Sequence, residues 1–204
     1  MNRFREISRL PTAIKLAVWL ALALSASSCL PLDPWQQAAP MYPQTRPPMA
    51  YPPPPSQGIY FLAEVEGEVL RLANEARRQQ ALPPLAGEQA LADAARRHSG
   101  DMLARGFFSH TNPDGLSAHQ RLPQDYVQVL KQSGENIWMG SGQNPYAPRH
   151  LAGTIMATLM ASPGHRQNLL DPKYTHLGVG VAAWGQEVRA TQDFAQLPSG
   201  PANR

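Results

Sequence analysis

The sequence predicts an α+β domain behind a long amino-terminal extension. Apolar residues recur at three- and four-residue steps over 59–80, 88–105 and 151–161, which is the stripe of an amphipathic helix. The period changes to two at 177–183, where Leu177, Val179, Val181 and Ala183 alternate with His176, Gly178, Gly180 and Ala182. After the turn Trp184, Gly185 and Gln186, a partner strand returns over 187–194 with Val188, Ala190 and Phe194 as its buried positions. Residues 1–57 read as an address and a spacer.

The chain of 204 residues is 43% apolar, enough for one packed core plus extra segments. Its charge is uneven. Arg3, Arg5, Arg9 and Lys15 against Glu6 precede the only cysteine, Cys29, and the remainder holds 14 basic and 14 acidic residues. The net charge of +3 therefore belongs to the extension and gives no ground for nucleic-acid binding.

Within that extension, a basic start, an apolar run over 16–24 and the small residues Ser25 to Ser28 form a secretory signal over 1–28. The run falls short of the ~18 apolar residues that a spanning helix needs. Ala26, Ser27, Ser28 and Cys29 resemble a bacterial lipobox, which implies that Cys29 becomes the acylated first residue and anchors the chain in a membrane. Leu30 after that cysteine, in place of aspartate, resembles lipoproteins sorted to an outer membrane where the cell has one. The alternative is a plain secreted protein with a spare cysteine. A lone cysteine excludes a disulfide within the chain. Over 29–57, Pro31, Pro34, Pro40, Pro43, Pro47, Pro48 and Pro52 to Pro55 predict an extended tether, or else a proline-rich ligand for a partner's groove. A domain over 58–197 and a disordered tail over 198–204 complete the expected organisation.

In the first helix Leu62, Val65, Val69, Leu72 and Ala76 form the apolar stripe, and Glu64, Glu66, Glu68, Arg71, Arg77 and Arg78 are expected on the solvated faces. The second carries Leu91, Ala94, Ala95, His98 and Met102 on one side, so His98 reads as a packing histidine, and Gly106 supplies a C-cap. A short helix is expected over 116–122, with His119 at the surface; 145–149 reads as loop. In the third helix Leu151, Ile155, Met156, Leu159 and Met160 face inward.

Three stretches stand out for chemistry. In the loop 107–115, Phe107 and Phe108 are expected to bury and to fix a root from which His110 is presented, before the turn at Asn112 to Gly115. In 133–140, glycines flank Glu135, and Asn136, Ile137 and Trp138 lead into an apolar segment, as when a carboxylate lies at the wall of a core. In 161–182, Ser162 is a candidate N-cap and Pro163 suits the first helical position, which puts His165 in a helix's first turn, where the dipole disfavours imidazolium.

These stretches in this order resemble the CAP superfamily of cysteine-rich secretory, antigen 5 and pathogenesis-related proteins, also called the SCP domain, in its bacterial branch. The likeness rests on Asn74 to Arg77 (NEAR), FSHTNPDG, GEN, SPGHRQNLL, YTHLGVGVA and Thr191 to Phe194 (TQDF), and covers about 59–194. It implies a three-layer α-β-α sandwich with a cleft lined by His110, His165 and Glu135. The family's second acid falls at Ser162, and the tryptophan three residues before it falls at Leu159.

Two classes of function follow. One is a binding module that presents this cleft to a lipid, a glycan or a protein of the cell envelope. The other is a hydrolase, either with Zn²⁺ held by His110 and His165 and Glu135 as ligand or base, or metal-free and peptidase-like with His165 as base, Glu135 orienting it, and Ser109 or Ser162 as nucleophile. The address carries its own prediction: Cys29→Ser abolishes incorporation of labelled fatty acid and moves the chain from the membrane to the soluble fraction on cell fractionation.

Overall fold

The computed structural model describes residues 58–198. The expected signal segment, Cys29, the tether and the tail beyond residue 198 lie outside the described residues. The chain runs β1 (Tyr60–Phe61), α1 (Ala63–Gln79), β2 (Ala86–Gly87), α2 (Gln89–Ala104), a 3₁₀ turn (His119–Arg121), α3 (Gln124–Val127), β3 (Gln132–Gly140), α4 (Pro148–Ala161), α5 (Pro163–Leu170), β4 (His176–Trp184) and β5 (Glu187–Gln196). The sheet order is β1-β4-β5-β3, all antiparallel neighbours, and β2 pairs in parallel with the start of β4. Helix α2 covers one face, and α1 and α4, packed together and joined by α5, cover the other. The result is the α-β-α sandwich that the resemblance implied.

The expected stripes are the buried ones. Leu91, Ala94, Ala95, His98 and Met102 of α2 and Leu151, Ile155, Leu159 and Met160 of α4 are all within 1% of full burial. The small residues of β4 have a different role from the one their alternation suggested. A methyl group on Gly178 would overlap backbone atoms of Leu91 and Ala92, and one on Gly180 would overlap those of Ala95 and Arg96. The glycine face of β4 is thus a seat for the α2 backbone. Both faces are covered, and Ser99 Oγ reaches across to donate to Gly180 O at 2.9 Å and to meet Thr191 Oγ1 at 2.8 Å.

Two charges expected at the surface are buried instead. Glu66 is 5% exposed and Arg77 is fully buried. Beyond its junction with β1, β4 has an unpaired amide at Val181, and Glu66 Oε1 accepts from it at 3.0 Å while both Glu66 oxygens bind Arg96. Arg77 donates to Pro83 O, Leu169 O, Asp171 O and Tyr174 O at 2.8–3.2 Å, so one guanidinium ties α1 to the end of α5 and to the approach to β4. Asn74 one turn earlier exchanges two hydrogen bonds with the backbone of Leu85. A helical stripe cannot report such partners, because they come from segments far along the chain.

Other expectations shift in detail. Residues 132–140, expected as a bent segment, form the edge strand β3. Only 119–121 of the short helix expected at 116–122 is helical, as a 3₁₀ turn. The fourth helix begins at Pro148, inside the expected loop. Phe107 turns inward against the His98 ring at 5.7 Å between centroids, whereas Phe108 is 44% exposed. Ser162 joins α4 to α5, and its side chain makes no capping bond. Its carbonyl accepts from Arg166 N at 2.9 Å.

Gly180→Ala is expected to cost about 3 kcal/mol or more, at the upper end for overpacking, because the obstacle is backbone and cannot rotate away. Urea unfolding followed by circular dichroism checks it, with Gly67→Ala as the control in open space.

Candidate functional site

The site is organised on β3, whose successive residues point to opposite faces of the sheet. Glu135 lies on the α2 face and its side chain is only 3% exposed. Burying a carboxylate demands partners on both oxygens. Oε1 meets His110 Nδ1 at 2.7 Å, and Oε2 accepts a short hydrogen bond from Arg121, whose side chain is 8% exposed. Arg121 also donates to His110 O at 2.7 Å and Leu116 O at 3.0 Å, so it closes the loop that presents the histidine. Directly opposite on β5 is Asp193, almost fully buried. Burial, and then the Glu135 charge, hold its carboxyl well above the usual range, which favours its protonated form beside Glu135.

His110 and His165 reach the same strand from opposite sides. Asn136, the neighbour of Glu135, points to the α4 face and donates to His165 O at 3.1 Å and to Gln192 Oε1 at 3.1 Å. Asn168, one turn after His165, donates to Glu135 O at 3.2 Å and to Asn136 Oδ1 at 2.9 Å. Helix α5 is thereby docked on the edge strand by two asparagine amides. Gly134 lets this happen, since a Cβ there would collide with the Tyr174 hydroxyl and crowd Asn168.

The two imidazoles differ in character. The hydrogen bond to Glu135 raises the pKa of His110 above the ordinary value, against partial burial and the Arg121 charge. Burial, followed by the charge of nearby His110, pushes His165 down. The protonated form of half-exposed His110 is therefore favoured, with a free N–H donor, and the neutral form of His165, with a lone pair. His98 is a third ring beside them. Its Nε2 is 3.0 Å from Ser109 O, which fixes an Nε2–H tautomer, and burial and then the Arg121 charge keep it neutral. Its 3.9 Å approach to Glu135 Oε2 is proximity without an ion pair.

The structure thus brings His110 and Glu135 into direct contact and sets His165 within reach of the His110 charge. The Glu135 oxygens go to His110 and Arg121, so the carboxylate orients His110 in place of the expected His165. Both Glu135 oxygens are engaged, so Glu135 backs His110, and among the described residues no group of three or more His, Cys, Asp or Glu is placed to hold a metal ion. Two imidazoles alone are one donor short of a catalytic zinc site. Ser109 Oγ accepts from Thr111 N at 3.2 Å. A groove of about 730 Å³ runs along α2 past His98 and Arg121 and includes none of His110, Glu135 and His165. The chemistry at β3 therefore lies outside this groove and rests on a buried carboxylate.

Sequence reasoning missed Arg121, Asp193, Asn136 and Asn168. The usable signal for Asp193 is an acid inside a strand flanked by buried positions. Arg121 has no comparable local mark.

The chain matches the family described as CAP, the cysteine-rich secretory protein family, over residues 70–194. It is a member of the CAP family. The uncharacterized protein YkwD of Bacillus subtilis is 32% identical over 120 residues, covering 59% of this chain and 43% of that protein. The uncharacterized membrane protein YlbC of the same organism is 36% identical over 116 residues, covering 57% of this chain and 31% of that one. Among solved structures, an extracellular protein containing a SCP domain from Bacillus anthracis is 30% identical with a TM-score of 0.53, covering 66% of this chain and 41% of that chain. The chain spans less than half the length of these relatives.

Because the native His110 value lies above the unfolded one, the stabilisation from its protonated ring is fully present below about pH 6.5 and is lost as the pH rises through the native value. Glu135→Gln is expected to bring the His110 pKa, read by NMR, back toward about 6.5 and to flatten this dependence. It also lowers stability by about 3 kcal/mol, because Arg121 is left buried without its counter-charge.

Proposed function

We propose that this chain is a CAP-family binding module, held in the cell envelope by acylated Cys29 and a proline-rich tether, whose His110/His165 site takes an oxygen-rich ligand such as a lipid headgroup, a glycan or a protein carboxylate. The observation that supports this most is the split between the two rings. A buried carboxylate favours the protonated, donating form of His110, burial favours the neutral, accepting form of His165, and such a pair suits hydroxyl and anionic oxygen groups together. Among the described residues no helix is long and apolar enough to cross a membrane, so attachment in this reading comes from the amino terminus.

The same split favours one second reading. Two titratable groups with values pushed apart are the usual basis of an acid–base pair. In peptidase-like hydrolysis His165 would take a proton from water and His110 would protonate the leaving group.

The binding reading is tested by following both imidazoles by NMR while the chain is titrated with inorganic phosphate and, separately, with a soluble chito-oligosaccharide. Saturable shifts of the His110 and His165 resonances, lost in His110→Ala, are expected with one of the two probes. Resonances that stay fixed for both probes would sink it. Zinc titrated calorimetrically into the same chain is expected to bind more weakly than about 10 μM, since only two donors are free. Tighter binding that both His110→Ala and His165→Ala abolish would restore a metal site.

A further inference from the structure

The β4–β5 hairpin end of the sheet carries an apolar surface that neither the core nor the histidine site uses. The pairing register aligns Phe61, Ala182, Arg189 and Met139 in one row across β1, β4, β5 and β3, all on the face that α2 covers lower down. Trp184 lies two residues beyond Ala182, on the same face and diagonal to Phe61. Phe61, Met139 and Trp184 are 50%, 51% and 55% exposed, whereas Ala182 between them is buried. Three strand spacings separate Phe61 from Met139, about 14 Å. Arg189 crosses the row with only 14% of its side chain exposed and pairs at 3.3 Å with Glu187, which lies opposite Trp184, so the apolar residues are joined by one ion pair and the surface has no net charge.

We infer that this surface is a docking platform for the interfacial region of a lipid bilayer. Its composition fits, because Trp and other large apolar side chains favour the headgroup boundary, and the Arg189 charge is already met by Glu187. Its size fits as well. Three half-exposed large side chains present about 300 Å², too little for the ~800 Å² per partner that a specific protein contact buries, yet enough to insert into a soft interface. Its position points the same way. Strand β1 is where the chain enters the domain from residue 57, and Phe61 belongs to it. The 29 residues from Cys29 to Gln57 reach at most about 100 Å fully stretched, which keeps the platform at high effective concentration over an anchored bilayer. This inference rests on the anchoring part of the proposed function. It adds that the domain lies against the membrane and does not stand clear of it.

The test uses the full-length chain isolated with its lipid from membranes and reconstituted in phosphatidylcholine vesicles with brominated acyl chains. The contribution of Trp184 is taken as the difference in emission from Trp184→Phe. Bromine is expected to quench it several-fold, with little change between low and high salt, and Phe61→Ser with Met139→Ser is expected to remove most of the quenching. Absence of quenching in the acylated chain overturns the platform, as does quenching that survives the double substitution in a chain with native circular dichroism. A Trp184 shift that depends on protein concentration without vesicles overturns it in favour of a second copy. Mass spectrometry of Cys29 reads the anchor separately. If no acyl chain is found, that reading fails alone, and the platform is judged by Cys29→Ser at millimolar lipid, where Trp184→Ser is expected to lower partition about tenfold.

Discussion

The close seat of α2 on β4 sets the terms for everything around it. Because Gly178 and Gly180 have no side chains, the helix backbone comes down onto the sheet, and the residues it carries inward reach groups that a normal spacing would leave apart. Ser99 then bonds two strands at once, and His98 comes near Glu135. The loop that follows α2 starts low enough for His110 and Arg121 to meet that same carboxylate. A sheet of larger residues would raise the helix and leave a buried acid without partners.

The site shows how a buried charge can be used to give two like side chains unlike properties. Glu135 draws a proton toward His110, and the resulting charge, added to desolvation, keeps one off His165. Asp193 makes this sustainable. Its raised carboxyl favours the neutral form opposite Glu135, which limits the negative charge in a dry region. Arg121 balances the one charge that remains and ties the loop to the sheet. The histidines need only be placed, because the electrostatics lies beneath them.

Much of the fold was legible because its signals are local. The stripes of α2 and α4 state which face is buried, the alternation of β4 and β5 marks them as strands though both their faces are covered, and Gly106 at φ 68° ends α2 as its position suggests. What was illegible depended on distant segments. Strand β3 buries Glu135, Asn136, Ile137 and Trp138 in succession, with a helix on each face, so it shows no alternation. Glu66 and Arg77 sit on helical positions that look solvated, and only the amide of Val181 or the carbonyls beyond Leu169 explain their burial. The recognisable motifs turn out to have ordinary causes: NEAR supplies Asn74 and Arg77 as ties, and GEN supplies a strand that is bare enough at Gly134 for Tyr174 and charged enough at Glu135 for His110.

The treatment of the sheet's two borders has a consequence for crowding. Along β4 the outer border is divided between β1 and β2, and the amide at Val181 is taken by a carboxylate. Along β3 the asparagine of α5 occupies the backbone carbonyl of Glu135. Bare strand borders are templates on which a neighbouring copy can add its own strand. With these groups already occupied, copies of this chain packed side by side at high local density meet taken backbone groups at Val181 and Glu135, which hinders strand addition at these two points.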